Sequence, residues 1–303
     1  MKRIALIGAA AVGDYIYKVD HLPEKGEIVT ITSGTNTFIP GGCAPNIACG
    51  VANLGKAVPV LRYPVGKDFD ELALQEDWEK RNICCRLTRV DNVNSGCAWM
   101  YMQSDGTTMC FAFPGAADYA IPRPEELDEE MVVIAPKLNT YTEAYLIKSI
   151  EQKLAVVVTG IGDEKILSYL ENIDVLIINQ CEMEQLCRAG GFSDMNEITA
   201  RYPKVKLYVT FGAKGSLFCS NGTCTHIPIV NAAVIRDFTG AGDAYTSGIV
   251  SALSAGYDNI QAGYIGACAS SFALEYMGGQ TYRNSWQDIM DRLEEQHPQW
   301  KDV

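Results

Sequence analysis

The segment Asp237-Phe238-Thr239-Gly240-Ala241-Gly242-Asp243 sets two carboxylates on either side of a small-residue turn, which runs directly into the apolar, helix-forming stretch 244–255. Gly240, Ala241 and Gly242 carry little or no side chain, so their backbone N–H groups can approach a ligand closely. At a helix N-terminus those N–H groups lack internal partners and suit an anion. Asp243 then falls in the first helical turn, where the helix dipole favours its charged form and it can accept a hydroxyl proton. A base beside an anion hole suggests phosphoryl transfer to an alcohol.

Other segments offer complementary chemistry. Gly41-Gly42-Cys43-Ala44-Pro45-Asn46 opens a helix whose Ile47, Val51 and Leu54 follow helical spacing and whose natural stop is Gly55. Its glycines admit a ligand close to the backbone, and Asn46 offers a donor and an acceptor to a sugar hydroxyl, although helix starts also use Asn for local bonding. Asp14 follows a Gly-ended turn and could accept two hydroxyls of a polyol, or serve only the turn. Asn179-Gln180-Cys181-Glu182 ends an apolar strand, where α/β folds place ligands. Glu182 with Asn179 could hold Mg²⁺ through water, with Glu184 as the competing carboxylate; an acid-rich helix start is the plainer reading. Thr210-Phe211-Gly212-Ala213-Lys214-Gly215 also ends a strand, and its glycines and Lys214 could accommodate nucleotide phosphates, or simply make a tight turn. Gly50 to Ala57 imitates a P-loop, but Ala57 lacks the metal-binding hydroxyl and the segment lies within a helix. The stretch from Gly8 to Gly13 lacks dinucleotide-fingerprint spacing.

The elements that must position these residues alternate in type. Apolar strand candidates recur at 58–63, 132–135, 154–159, 175–179 and 207–211 with helical segments between most of them, which predicts a mostly parallel doubly wound α/β sheet flanked by helices. Ile4-Ala5-Leu6-Ile7-Gly8 reads as a buried first strand, better than as the core of a signal peptide. Segments 19–39 and 97–113 instead read as antiparallel strands and hairpins, with a turn at Ser104-Asp105-Gly106. They predict a small β-sheet lid from about 14–39 and 95–113 on a kinase domain spanning 1–303.

A chain of 303 residues can bury a full core. Its net charge of −12 disfavours a nucleic acid or an anionic membrane as partner. The 11 cysteines are odd in number, scattered and without C-x-x-C, so neither a disulfide framework nor a zinc ribbon is expected and a cytoplasmic location fits best. No stretch approaches a membrane span in length.

Taken in order, these motifs resemble the ribokinase-like (PfkB) carbohydrate kinase family from Ile4 to about Gln280. The two family signatures are matched by Gly41-Gly42-x-x-x-Asn46 and by Asp237-x-Thr239-Gly240-Ala241-Gly242-Asp243. Gly66-Lys67-Asp68 and Pro114-Gly115-Ala116 match intermediate landmarks. The resemblance implies Asp243 as base and Gly240 to Gly242 as anion hole. It places Asp14, Gly41, Gly42 and Asn46 on the sugar, with Asp237 beside the substrate or a monovalent-cation site. It gives Asn179 and Glu182 to Mg²⁺, and Thr210, Gly212, Lys214 and Gly215 to ATP. Gly278-Gly279-Gln280 resembles a segment that helps hold K⁺, though Tyr282 departs from it. Phe238 replaces a common Thr, and Ala117 stands where ribokinases often have Asn.

The expected activity is ATP- and Mg²⁺-dependent phosphorylation of a primary hydroxyl on a small neutral sugar. Lys18, Arg62, Lys67, Arg86 and Arg89 keep a phosphorylated sugar open. The alternatives are a nucleoside kinase of the same family, its base resting on Trp99, Met100, Tyr101, Met109, Phe111 and Phe113, or a sugar sensor without turnover. Exposed lid strands could also pair two subunits as a homodimer.

Overall fold

The computed structural model describes residues 1–34, 37–105 and 107–302. Its strands are β1 (Arg3–Gly8), β2 (Ala11–Val19), β3 (Ile31–Gly34), β4 (Ile39–Pro40), β5 (Val58–Gly66), β6 (Cys84–Val90), β7 (Gly96–Met102), β8 (Thr108–Phe113), β9 (Met131–Ala135), β10 (Ala155–Thr159), β11 (Val175–Asn179), β12 (Lys206–Thr210), β13 (Ser216–Ser220) and β14 (Thr223–Ile227). Its α-helices are α1 (Cys43–Leu54), α2 (Leu74–Lys80), α3 (Ala116–Tyr119), α4 (Thr140–Glu151), α5 (Gln180–Gly190), α6 (Met195–Arg201), α7 (Ala241–Ala255), α8 (Asn259–Ala273) and α9 (Trp286–Gln296).

The large sheet runs β14-β13-β12-β11-β10-β9-β1-β5-β6. From β6 to β12 every pairing is parallel, and β13 and β14 close one edge antiparallel. Alternation along β1 shows why its sequence is uniformly apolar. Ile4 and Leu6 join the core beneath α1, α7 and α8, while Ala5 and Ile7 join the core beneath α4, α5 and α6. A strand covered on both faces buries every side chain, each large aliphatic contributing about 1.5–3 kcal/mol. From β1 the chain proceeds outward to β5 and β6, then returns to β9 on the other side, so the order reverses between β1 and β9. Ligands of such sheets bind in the crevice at the carboxyl ends of strands flanking a reversal. Gly8 ends β1 there, where a Cβ would press into Ala44 of α1, Tyr63 and the Ala135 carbonyl. Glycine thus lets the start of α1 settle on the strand end.

The small sheet has the order β3-β2-β7-β8, with β4 also on β2. Tyr15 is paired with Trp99 and Tyr17 with Tyr101, while Trp99 faces Phe111 and Tyr101 faces Met109. Their rings confirm one shared face: Tyr15 stacks on Trp99 at 6.1 Å and Tyr17 on Tyr101 at 5.6 Å. The opposite face carries Asp14, Ile16, Ala98, Met100, Cys110 and Ala112, because side chains alternate along each strand. The aromatic set expected to hold a base is therefore divided. Met100 lies on the Asp14 side, and Trp99, Tyr101, Met109, Phe111 and Phe113 lie on the other. At the expected hairpin turn, Thr107 N–H donates to the Asp105 carboxylate at 2.9 Å, while Gly106 is outside the described residues.

The cysteines differ from expectation in one respect. Cys219 and Cys224 stand directly opposite on β13 and β14 and form a disulfide. The other nine are unpaired. Among the described residues no helix is long and apolar enough to cross a membrane.

Candidate active site

Two helix starts face each other across the crevice. The first is α1, whose approach bends at Gly42 with φ 90°, a left-handed conformation that glycine tolerates best. A side chain at Gly42 would also run into the Ala11 carbonyl and the Tyr63 hydroxyl. That hydroxyl accepts from Ala10 N–H at 3.0 Å and donates to the Ala11 carbonyl at 2.8 Å, fixing the turn that leads to Asp14. Tyr63 is fully buried in β5 and reads in the sequence only as one apolar position among many. The second start is α7, entered through Gly240 at φ 78° with no side-chain cap. Ala241 N–H donates to the Phe238 carbonyl at 3.3 Å and closes the turn. Of the three expected anion-hole groups, Gly240 and Gly242 are thus the better placed. Gly242 is exposed, and a Cβ there would meet nothing within 4 Å, so the turn opens towards solvent.

Asn46 on α1 joins the two starts. Its Nδ2 donates to Asp243 Oδ2 at 2.8 Å, while its Oδ1 is buried without a partner. Such an acceptor costs roughly 1–3 kcal/mol unless a hydroxyl or water meets it. Cys43 is a second donor to the Asp243 carboxylate, a contact nothing in the residue types announced. Burial pushes Asp243 up from 3.8 to about 7, against the pull of Asn46 and Cys43 and with a smaller push from Glu182. Asp14 is 7% exposed, and burial, then Asp243, then Asp237 raise it likewise to about 7. Gly41 lies directly against the Asp14 carboxylate, where a Cβ would collide with it. Asp14, Gly41, Gly42, Asn46 and Asp243 are therefore one cluster.

Asp237 is placed differently. It is fully buried, its Oδ1 accepting from Thr239 N–H at 3.0 Å and Thr239 Oγ1 at 2.8 Å, and its Oδ2 from Gly278 N–H at 2.7 Å. Gln280, only 1% exposed, is bonded at both ends of its amide: Nε2 donates to the Gly41 carbonyl at 2.9 Å and Oε1 accepts from Trp78 Nε1 at 2.9 Å. The Gln280 side chain is thus committed to Gly41 and Trp78, and the Gly278 amide to Asp237. A K⁺ ion would meet Asp237 only through oxygens that already accept three hydrogen bonds.

The remaining candidates gather at the ends of β11 and β12, where Asn179 and Thr210 are partners in register. Asn179 Oδ1 accepts from Glu182 N–H at 2.9 Å, and Glu182 Oε2 accepts from Asn179 N–H at 2.8 Å. This capping box commits the Asn179 oxygen to the start of α5. Glu182 is half-buried, raised by that burial, and close enough to act on Asp243, whereas Glu184 is exposed and accepts from Gln180 at 3.0 Å. Glu182 thus suits Mg²⁺ better, through its second oxygen and intervening waters. Gly212 and Lys214 form a short turn closed by Phe211 N–H on the Gly215 carbonyl at 2.8 Å, with Lys214 exposed. Gly215 has φ 84° and packs on Ile227.

Residues 1–286 match the family described as pfkB family carbohydrate kinase. The chain is 30% identical over 301 residues to a nucleoside kinase of Methanocaldococcus jannaschii, covering 97% of each. The crystal structure of that enzyme superposes with TM-score 0.82 at 28% identity, over 97% of this chain and 99% of that one. A ribokinase of Arabidopsis thaliana is 26% identical over 296 residues, 91% of this chain and 76% of that protein. A Burkholderia thailandensis nucleoside kinase in complex with inosine shares the fold, with TM-score 0.85 at 19% identity over 97% and 98% of the chains.

Proposed function

From the premise that this chain belongs to the pfkB family of carbohydrate kinases, phosphotransferases that act on an alcohol, we propose that its acceptor is the primary hydroxyl of a nucleoside's ribose. The observation that carries this reading is the side of the small sheet that holds Asp14. At Ala98, Met100, Cys110 and Ala112 it is uncharged and made of small or pliable side chains, which suits a flat base beside a ribose on Asp14 and Asn46. The 30% identical relative, named a nucleoside kinase, supports the same choice. A free neutral sugar is the second reading, supported by the ribokinase at 26% identity. Against a sugar phosphate, Arg62 is bonded to buried Glu129 at 3.2 Å, Arg86 to Asp128 at 3.2 Å and Arg89 to Asp70 at 2.7 Å.

In the reaction, Asp243 accepts the proton of the attacking hydroxyl. Asn46 and Cys43 hold its carboxylate by hydrogen bonds, and Asp14 orients the sugar by accepting from its hydroxyls. The amides of Gly240 and Gly242 face the transferred phosphoryl oxygens, where fixed N–H groups favour growing negative charge. Thr210, Gly212, Lys214 and Gly215 line the nucleotide. Mg²⁺, held by Glu182 through water, would neutralise phosphate charge among these carboxylates. The small sheet acts as the lid over the acceptor.

The outer lid face supports a homodimer. Ile31, Phe111 and Phe113 there are 44–58% exposed, beside a hollow of about 510 Å³ lined by Val19, Pro23, Trp99 and Tyr101. Phe111→Glu should convert the dimer to monomer in light scattering; an unchanged mass would place any dimer elsewhere. The nine unpaired cysteines support a reducing compartment such as the cytoplasm.

The deciding experiment is ADP formation from Mg-ATP with purine and pyrimidine nucleosides, ribose, fructose and sugar phosphates, with Asp243→Asn in parallel. A nucleoside should give a kcat/KM at least about 10-fold above any free sugar. A free sugar turned over equally well would replace the nucleoside reading.

A further inference from the structure

The segment Gly278-Gly279-Gln280 touches both halves of the site. Gly278 N–H donates to Asp237 at 2.7 Å, on the side that presents the phosphate turn. Gly279 lies against both helix starts at once. A Cβ there would approach Asn46 Oδ1 to 2.9 Å, and one on Gly240 would approach Gly279 Cα to 2.6 Å. Gln280 reaches Gly41 on the acceptor side through its Nε2. Behind it, Oε1 is held by Trp78 Nε1 at 2.9 Å and by Cys49 Sγ at 3.5 Å. Its main-chain carbonyl accepts from Arg81 Nη1 at 2.9 Å and Arg283 Nη1 at 2.8 Å.

We propose that Gln280 is a positioning residue for the acceptor: its amide fixes the Gly41 carbonyl, and with it the backbone that packs on Asp14 and leads to Asn46. The fixing is rigid because the amide is buried and anchored from behind by a donor with no freedom of its own. Trp78 is fully buried and its ring lies 5.6 Å from Phe69, so the indole N–H is aimed by packing. Without the Nε2 donor the Gly41 carbonyl is left buried and unpaired, and the turn can relieve this only by moving away from Asp14. Among the described residues the hydrogen bonds of Gln280 run to Gly41, Trp78, Cys49, Arg81 and Arg283, none of them assigned to the nucleotide, so the two substrates respond differently. This inference rests on the assignment of Asp14 and Asn46 to the acceptor.

The test is steady-state kinetics with both substrates varied, on Gln280→Met, Trp78→Phe, the double variant and Asn46→Ala. Gln280→Met fills the same space without the amide. It should raise the acceptor KM about 10-fold while the ATP KM moves less than about 2-fold. Trp78→Phe keeps an aromatic ring but frees Oε1, and should raise the acceptor KM about 3-fold. In the double variant the second change should add nothing, because the two side chains act as one unit. Should Gln280→Met fail to fold, Trp78→Phe carries the test alone. Equal effects on both KM values, or an unchanged acceptor KM, would overturn the proposal. If Asn46→Ala itself leaves the acceptor KM unchanged, the acceptor-site assignment has failed, and the proposal falls with it.

Discussion

Asp243→Asn should make the unliganded protein more stable at alkaline pH while nearly abolishing turnover. The carboxyl is raised from 3.8 to about 7, chiefly by burial. Between those values the folded protein binds a proton that the unfolded chain releases. The stabilising contribution of this group is therefore complete below about pH 4 and is lost as pH rises through 7. A shift of about three pH units at about 1.4 kcal/mol each bounds the cost of the ionised group at about 4 kcal/mol. Asp243 is partly open to the crevice, which screens it, so about half of that is a better expectation. Asn cannot ionise and keeps an oxygen for the bond from Asn46. Removing the charge also relieves Asp14, on which Asp243 acts. A gain of about 2 kcal/mol corresponds, for a chain of 303 residues, to a Tm rise of roughly 3 °C at pH 8, falling to about zero near pH 4. Thermal melts of both proteins without ligands, from pH 4.5 to 8.5 at constant ionic strength, measure this directly. A variant no more stable at pH 8, or one whose gain is the same at every pH, would refute the reasoning. Turnover should fall by roughly 10² to 10⁴, the scale of a lost general base.

Because the base must be ionised, kcat/KM should rise with pH through about 7 and level off above it, and a plateau already reached at pH 5 would remove either the shift or the role. Asn46→Ala should raise the acceptor KM far more than the ATP KM, since only the acceptor meets its Oδ1; equal effects would place Asn46 outside the acceptor site. Gly279→Ala forces a methyl to within 2.6 Å of Asn46 Cγ, and should cost about 1–3 kcal/mol of stability in denaturant titrations along with acceptor affinity. Unchanged stability and kinetics there would show that the two helix starts are not tightly joined.

What the sequence made legible follows from the range of the interactions involved. The strand at 175–179 and the helix that follows it are decided by neighbours: an unbroken apolar run, then Asn179 and Glu182 at capping-box spacing. The start of α7 was legible from a different local signal, a small-residue turn running into an apolar stretch, which put Asp243 in the first turn. The division of the lid aromatics was within reach of strand alternation, because Met100 stands between Trp99 and Tyr101, but it needed the register that places Asp14 beside Ala98. The disulfide needed the β13–β14 pairing. The contacts of Gln280 were beyond any local rule, since its bond to Gly41 spans 239 positions and that to Trp78 spans 202. A glutamine near the end of a chain has no pattern that separates a surface residue from a buried strut. The resemblance placed this segment near an ion, whereas its side chain serves other groups.

The crevice gathers Asp14, Asp243, Asp237 and Glu182 in a protein that is already acidic, and in the proposed function a polyanionic nucleotide comes to the same place. Three different solutions keep that arrangement folded. Asp237 is satisfied by geometry, its oxygens accepting three hydrogen bonds that hold the turn. Glu182 caps a helix with one oxygen and faces the crevice with its charge partly desolvated. For Asp14 and Asp243 burial outweighs the bonding around them, and both rise to about 7. In the proposed reading a polyol meets both: its hydroxyls donate to Asp14 and its attacking hydroxyl gives a proton to Asp243. A site that satisfied them internally would be more stable and would have nothing to offer an alcohol. The raised carboxyls, more than the glycine-rich turns, support the proposed acceptor site, because turns of that kind also occur in plain loops while buried carboxyls shifted this far cluster at functional sites.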